Sequence, residues 1–271
     1  MIRTSQPILL VLILLTSHFR CSSQSSSPFF EEMNWLMWEK SYTQEDKLAI
    51  IDSIDVELTR YIKEAIHLTI ENSIKNFHFI DYDGDGDHDI IYVGDAGTES
   101  YRTIFLEKKG NEWIEKVDIF GEVVSVNRNL PTSPISFTVL DAPCCAGNVF
   151  SINEYVIFSK GIENVSKLNY DENTVFPDKI NMHVLFKVQN SKYNLRDAPS
   201  VKEKESSVLG VYPSQSEGIA FAKKTDETGR EWWFVAMKNN FAPLSSIIHK
   251  GNTDEDYYSL GWMSNRYLEK L

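Results

Sequence analysis

Residues 81–89 read Asp81-Tyr82-Asp83-Gly84-Asp85-Gly86-Asp87-His88-Asp89. Acids fall at loop positions 1, 3, 5, 7 and 9. Five carboxylates packed this closely repel one another unless a cation sits among them. Gly84 and Gly86 allow the backbone angles that bring alternate side chains to one point. Calcium takes about 6–8 hard oxygen ligands, and this loop could supply many of them. The expected ligands are the side chains of Asp81, Asp83, Asp85 and Asp89, with Asp87 giving its backbone carbonyl. Magnesium suits the loop less well, because it keeps its waters. His88 lies inside the loop, but alternation points it away from the ion.

Short apolar runs flank the loop, Phe79-Ile80 before it and Ile90-Ile91-Tyr92 after it. Tyr92 stands at loop position 12, where an EF-hand needs a bidentate Glu, and the flanks are strands rather than helices. The EF-hand is thereby excluded. The pattern resembles the D-x-D-G-D-G-x-x-D loop of FG-GAP and related integrin-type repeats, over residues 77–106. That resemblance implies a structural calcium tying a strand-loop-strand turn. The sequence carries one such loop and no repeat of fixed period, so a multi-bladed propeller is excluded.

Outward from the loop, a helix is expected from about Thr43, with Thr43 and Asp46 forming a capping box. Leu48, Ile51, Ile54, Leu58, Ile62 and Ile66 follow at spacings of three and four, one apolar stripe on a helix of roughly 25 residues. Its expected role is to cover a sheet. Residues 77–80, 90–93, 103–106, 122–126, 135–140, 149–158 and 182–188 read as strands separated by Gly, Asn, Asp and Pro. Their connections are mostly too short for crossover helices, so antiparallel pairing is expected.

Beyond residue 190 the runs shorten to 208–212, 219–225, 232–238 and 260–263. Asn194-Leu195-Arg196-Asp197-Ala198-Pro199-Ser200, then Trp232-Trp233-Phe234-Val235, then Gly261-Trp262-Met263-Ser264-Asn265-Arg266-Tyr267-Leu268 resemble the opening, central and closing segments of bacterial SH3-like domains. The resemblance implies a small β-barrel over residues 191–271. It also implies a ligand groove in which Trp232, Trp233, Trp262 and Tyr267 are candidates, although core packing is the plainer role for each. The expected fold class is therefore α+β, mainly β. An N-terminal helix packs on an antiparallel sheet domain (residues 30–190), and a small SH3-like barrel follows.

Residues 7–15 (PILLVLILL) follow a short cationic start, and nine residues span only about 13 Å as a helix. That is too short to cross a bilayer and suits a signal peptide over residues 1–20. Cys21 and the Ser-rich tether of residues 21–29 resemble a bacterial lipoprotein signal, which implies a lipid on Cys21. Ordinary secretion with cleavage nearby is the alternative. The membrane is then met only through an N-terminal lipid anchor, and the expected location is the bacterial envelope. Cys144 and Cys145 are adjacent, and either a vicinal disulfide or free thiols would suit them. A zinc or copper site would need more soft ligands than the surrounding sequence offers.

With 39 acidic against 27 basic residues, the net charge is −12, which argues against nucleic acid as a partner. No triad, Walker loop or zinc-hydrolase motif occurs among the six histidines and their surroundings. Cys144 or Cys145 with His183 is the only candidate thiol–imidazole pair. The sequence thus reads as a non-catalytic, lipid-anchored or secreted envelope protein. It would carry a calcium-stabilised β domain and an SH3-like module that meets peptidoglycan or an envelope protein ligand. A cell-wall hydrolase or its accessory factor is the alternative.

Overall fold

The computed structural model describes residues 33–54, 74–95, 101–127, 135–143, 147–158, 161–238, 243–248 and 257–271. The export segment, Cys21, the tether, Leu58, Ile62 and Ile66 of the expected helix, and the Cys144–Cys145 pair lie outside them. Among the described residues no helix is long and apolar enough to cross a membrane. The chain divides into two units. One comprises Glu32–Gly147 with Asn153–Val165, and the other includes Asn148–Ile152 and Ser166–Leu271.

In the N-terminal unit, α1 (Gln44–Ser53) opens on the expected capping box. Thr43 Oγ1 accepts from the Asp46 backbone N–H at 3.1 Å, and Asp46 Oδ2 accepts from the Thr43 N–H. The helix is ten residues long, not 25. Ser53 Oγ donates to Ile50 O at 2.6 Å, and Ile54 is already extended. Such back-bonding competes with the helical ladder. Ile51 is its one buried residue, so α1 supplies a corner of the core, and among the described residues no helical layer covers the sheet.

Four antiparallel strands follow in order β1 (Phe77–Ile80), β2 (Asp89–Asp95), β3 (Tyr101–Lys109) and β4 (Glu112–Phe120). Both faces of this sheet are apolar. Phe77, Phe79, Ile90, Tyr92, Ile104 and Leu106 join Ile51 and Ile54 in one core cluster. Ile80, Ile91 and Phe105, from alternate positions, join a second cluster with Val123, Phe137, Val139 and Ile157. Double-sided burial explains why β1 to β3 read as unbroken apolar runs. The partners on the second face come from β5 (Glu122–Asn127), β6 (Ser136–Asp141) and β7 (Val149–Phe158).

The remaining strands are β8 (Gly161–Asp171), β9 (Val184–Val188), β10 (Tyr193–Arg196), β11 (Val208–Tyr212), β12 (Glu217–Thr225), β13 (Glu231–Lys238), β14 (Ser245–Ser246), β15 (Tyr258–Ser264) and β16 (Leu268–Lys270). In the unit that includes Ser166–Leu271 the hydrogen-bonded path runs β16-β9-β12-β13-β15-β8, with β10, β11 and β14 attached beside it; in the other unit β5 pairs β6. Among the described residues these strands do not close into a ring, so the expected SH3-like barrel is absent and the sheet is open. The reason lies at the strand edges. β15 pairs in parallel with β8 through Tyr258 and Ser259, and with β10 only through Trp262 opposite Arg196. The three-residue β16 then ends the sheet against β9. The overall class is mainly β, not a helix-on-sheet domain followed by a barrel.

Of the expected ligand aromatics, Trp233 and Trp262 are core, whereas Tyr267 is exposed. Trp262 is 1% exposed, stacks edgewise on Phe234 at 5.3 Å, and donates its indole N–H to Val175 O at 2.6 Å. Trp233 is buried with Phe186, Val235 and Met263.

One core position is electrostatically costly. Glu154 on β7 is 2% exposed, and burial pushes its carboxyl up to about 7, against the opposing hydrogen bond with Ser136. A folded pKa raised above the unfolded one gives stability that is full below about pH 4.5 and is lost as pH rises through 7. Glu154→Gln, which is neutral throughout, is therefore expected to match the parent near pH 4 and exceed it by up to about 3 kcal/mol at pH 8. Urea midpoints at the two pH values measure this, and an equal difference at both would refute it.

Candidate metal centre

The loop of residues 81–88 joins β1 to β2, which pair Ile80 with Asp89 and Phe79 with Ile90. Asp89 therefore belongs to the strand, at the mouth of the turn, and is 1% exposed. Gly84 and Gly86 take φ of +82° and +94°. No atom lies within 4 Å of where a Cβ would stand on either, so backbone angle alone demands glycine here.

Carboxylate oxygens of Asp81, Asp83 and Asp89 lie within 4.8 Å of one another. Two oxygens bound to one calcium at about 2.4 Å are at most about 4.8 Å apart, so the spacing suits a common ion. The donor set is all hard oxygen, which favours calcium over softer metals. Asp85 and Asp87 stand outside this group. Asp85 Oδ1 instead accepts from the Asp87 N–H at 2.8 Å.

Backbone donors pre-set the three converging side chains. Asp81 accepts from the N–H groups of Gly84 at 2.7 Å and Gly86 at 3.3 Å. Asp83 accepts from the Asp85 N–H at 3.1 Å. Asp89 accepts from Tyr82 at 3.4 Å and from Lys108 on β3 at 3.1 Å. Burial pushes the Asp89 carboxyl up to about 7, with Asp83 and Asp85 adding to the rise and the Lys108 and Tyr82 hydrogen bonds opposing it. Burial also raises Asp83, and the charges of Asp85, Glu107 and Asp81 add to it. Both shifts come first from burial, and the neighbouring carboxylates add to them.

Even-numbered loop residues face elsewhere. Tyr82 is buried edgewise on Phe105 at 5.5 Å, and the His88 ring meets Tyr42 at 6.0 Å. His78, which the strand pattern leaves unremarkable, is buried and stacked on Trp35 at 3.7 Å. Its Nδ1 pairs with Glu39, whose second oxygen meets Lys47 Nζ at 3.1 Å. Burial lowers the His78 pKa, and the Glu39 pairing opposes that. No fixed spacing links Glu39, Lys47 and His78, so no sequence signal could have joined them.

Of the expected ligand aromatics, Trp233 and Trp262 are enclosed in the core, whereas Trp232 and Tyr267 line a groove with several basic side chains. The sequence reading missed those cations, which lie far apart along the chain.

No known protein family, curated protein or solved structure matches this chain.

The glycine argument has a direct consequence. Gly84→Ala is expected to cost about 1–2 kcal/mol, the usual penalty for an L-residue in left-handed backbone, and Gly84→Asn distinctly less because Asn tolerates that region. Were the constraint steric, the larger Asn would be the worse of the two in urea unfolding.

Proposed function

We propose that this chain is a non-catalytic protein of a bacterial envelope, exported and held by a lipid on Cys21. Calcium ties its β1–β2 turn, and its C-terminal residues present a ligand-binding surface to wall or extracellular molecules. The observation that carries the reading is the convergence of Asp81, Asp83 and Asp89 on one point. When bound there, calcium supplies charge neutralisation and a rigid tie between the loop and β2. Asp89 supplies the buried anchor, and Asp81 and Asp83 close over it. A site of three carboxylates with backbone-oriented oxygens resembles extracellular modules, which work at calcium near about 10⁻⁴–10⁻³ M. The apolar run of residues 7–15 and the Ser-rich stretch after Cys21 support export.

The test is thermal melting of the protein in calcium or magnesium at matched ionic strength. Calcium in hundredfold excess over its Kd is expected to stabilise the fold by about 2.7 kcal/mol, with magnesium giving less. Asp81→Asn and Asp89→Asn are expected to abolish the shift, and Asp85→Asn to keep most of it. No shift at millimolar calcium would remove the metal reading. Cosedimentation with purified peptidoglycan tests the wall reading separately, and its failure at low salt would count against that part alone.

A further inference from the structure

In the C-terminal unit, the register around β15 gathers cations that the sequence scatters. Arg196 of β10 pairs opposite Trp262, and Trp232 of β13 pairs opposite Ser264. Arg230 immediately precedes β13, and Arg266 and Tyr267 follow β15. Together with Lys192 these groups line one cavity of about 280 Å3. Four positive side chains therefore face a single small space in a chain whose net charge is −12.

The arrangement is built rather than incidental. Tyr193 Oη donates to Ser264 O at 2.6 Å and its ring meets Tyr267 edgewise at 5.8 Å, which fixes the aromatic wall. Arg266 lies over the Tyr267 ring at 5.6 Å, and Arg230 over Trp232 at 5.8 Å. The Trp232 indole N–H is itself held by Asp226 Oδ2 at 2.9 Å. Ser206 O accepts from Arg196 Nη1 at 3.2 Å. Among the described residues none of the four cations forms an ion pair with a carboxylate. The acids that act on Arg196 are Asp197 and Glu203, and Asp197 already accepts from Ser206 Oγ and the Ser207 N–H. Burial lowers the Arg196 pKa most, Asp197 and Glu203 oppose that, and Arg230 adds a smaller lowering through like-charge repulsion.

Bringing like charges to one space costs free energy, which Asp197 and Glu203 offset at Arg196, and an anion among the four lowers it further. Guanidinium forks match the paired oxygens of phosphate and carboxylate, and a ring-stacked guanidinium keeps its N–H edge free for them. We propose that this groove binds a small organic anion carrying two or more phosphate or carboxylate groups. Arg230 and Arg266 grip it from opposite sides, Arg196 holds its inner end, and Lys192 supplies charge at the rim. The cavity volume limits the ligand to small-molecule size. The inference stands on this groove alone and does not depend on calcium at the β1–β2 turn.

The experiment is isothermal titration of the full chain with pyrophosphate and with citrate, each against sodium chloride at matched ionic strength. Saturable one-site binding by at least one of the two is expected, and which binds tighter distinguishes phosphate from carboxylate chemistry. Arg230→Gln and Arg266→Gln are each expected to weaken it tenfold or more, whereas Lys109→Gln, an exposed cation on β3, leaves it unchanged. Arg266 is exposed, so Arg266→Gln carries the test should Arg230→Gln unfold. Absence of saturation with both probes, or equal weakening by Lys109→Gln, would overturn the proposal. Calcium melting on the same samples reports the other site independently.

Discussion

The buried carboxyl of Asp89 is the constraint on which the first sheet turns. It sits opposite Ile80, at the point where β1 ends and β2 begins. Its two oxygens take the backbone N–H groups of Tyr82 and Lys108, so one side chain ties the loop and β3 to the start of β2. Two further carboxylates crowd within 4.8 Å. Charge of one sign at that density needs a counter-charge. Burial first, and then the charges of Asp83 and Asp85, push the Asp89 carboxyl up to about 7, so that a proton partly fills that role. A hard divalent ion would fill it without the proton and would bind the three oxygens to one centre.

The same alternation serves two ends. Asp81, Asp83 and Asp89 carry oxygen toward the common point, while Tyr82 turns into the core that Phe105 and Phe137 share. Period-two alternation then continues through β1, β2 and β3, whose two faces feed two separate clusters. A one-residue slip in the Ile80–Asp89 register would exchange those faces and withdraw Asp89 from its backbone donors.

Much of this is legible in sequence because it is local. The spans of β1, β7 and β11 coincide with their apolar runs, and the Thr43–Asp46 box lies where its spacing places it. What fails is non-local. In β4, Glu112, Glu115, Lys116 and Asp118 interrupt a half-exposed face, so no apolar run appears. In β8, Ser166, Asn169 and Asp171 are buried and polar, and Asn169 Oδ1 accepts from Ser151 on another strand. Such partners are invisible before folding. The helix ends early because Ser53 bonds back to its own turn, although the apolar stripe continues past it. The barrel fails because β15 finds β8, a strand that no apolar pattern announces. Asp85 and Asp87 stand outside the converging group, which the alternating spacing alone does not foretell.

Chain-wide charge and local charge point in opposite directions here, and distance decides between them. A net charge of −12 repels anions from afar, but salt screens that field within about 8 Å at physiological ionic strength. Inside the groove the relevant separations are short, and the four cations that line it act on a bound anion more strongly than the chain's distant carboxylates do. An anion therefore gains no long-range steering toward Arg230 and Arg266, and its association is slow compared with that of an electrostatically guided ligand. Affinity at such a site has to come from slow release, which requires fixed forks rather than a diffuse positive cloud. That requirement accounts for the use of arginine at three of the four positions, two of them lying over the Trp232 and Tyr267 rings.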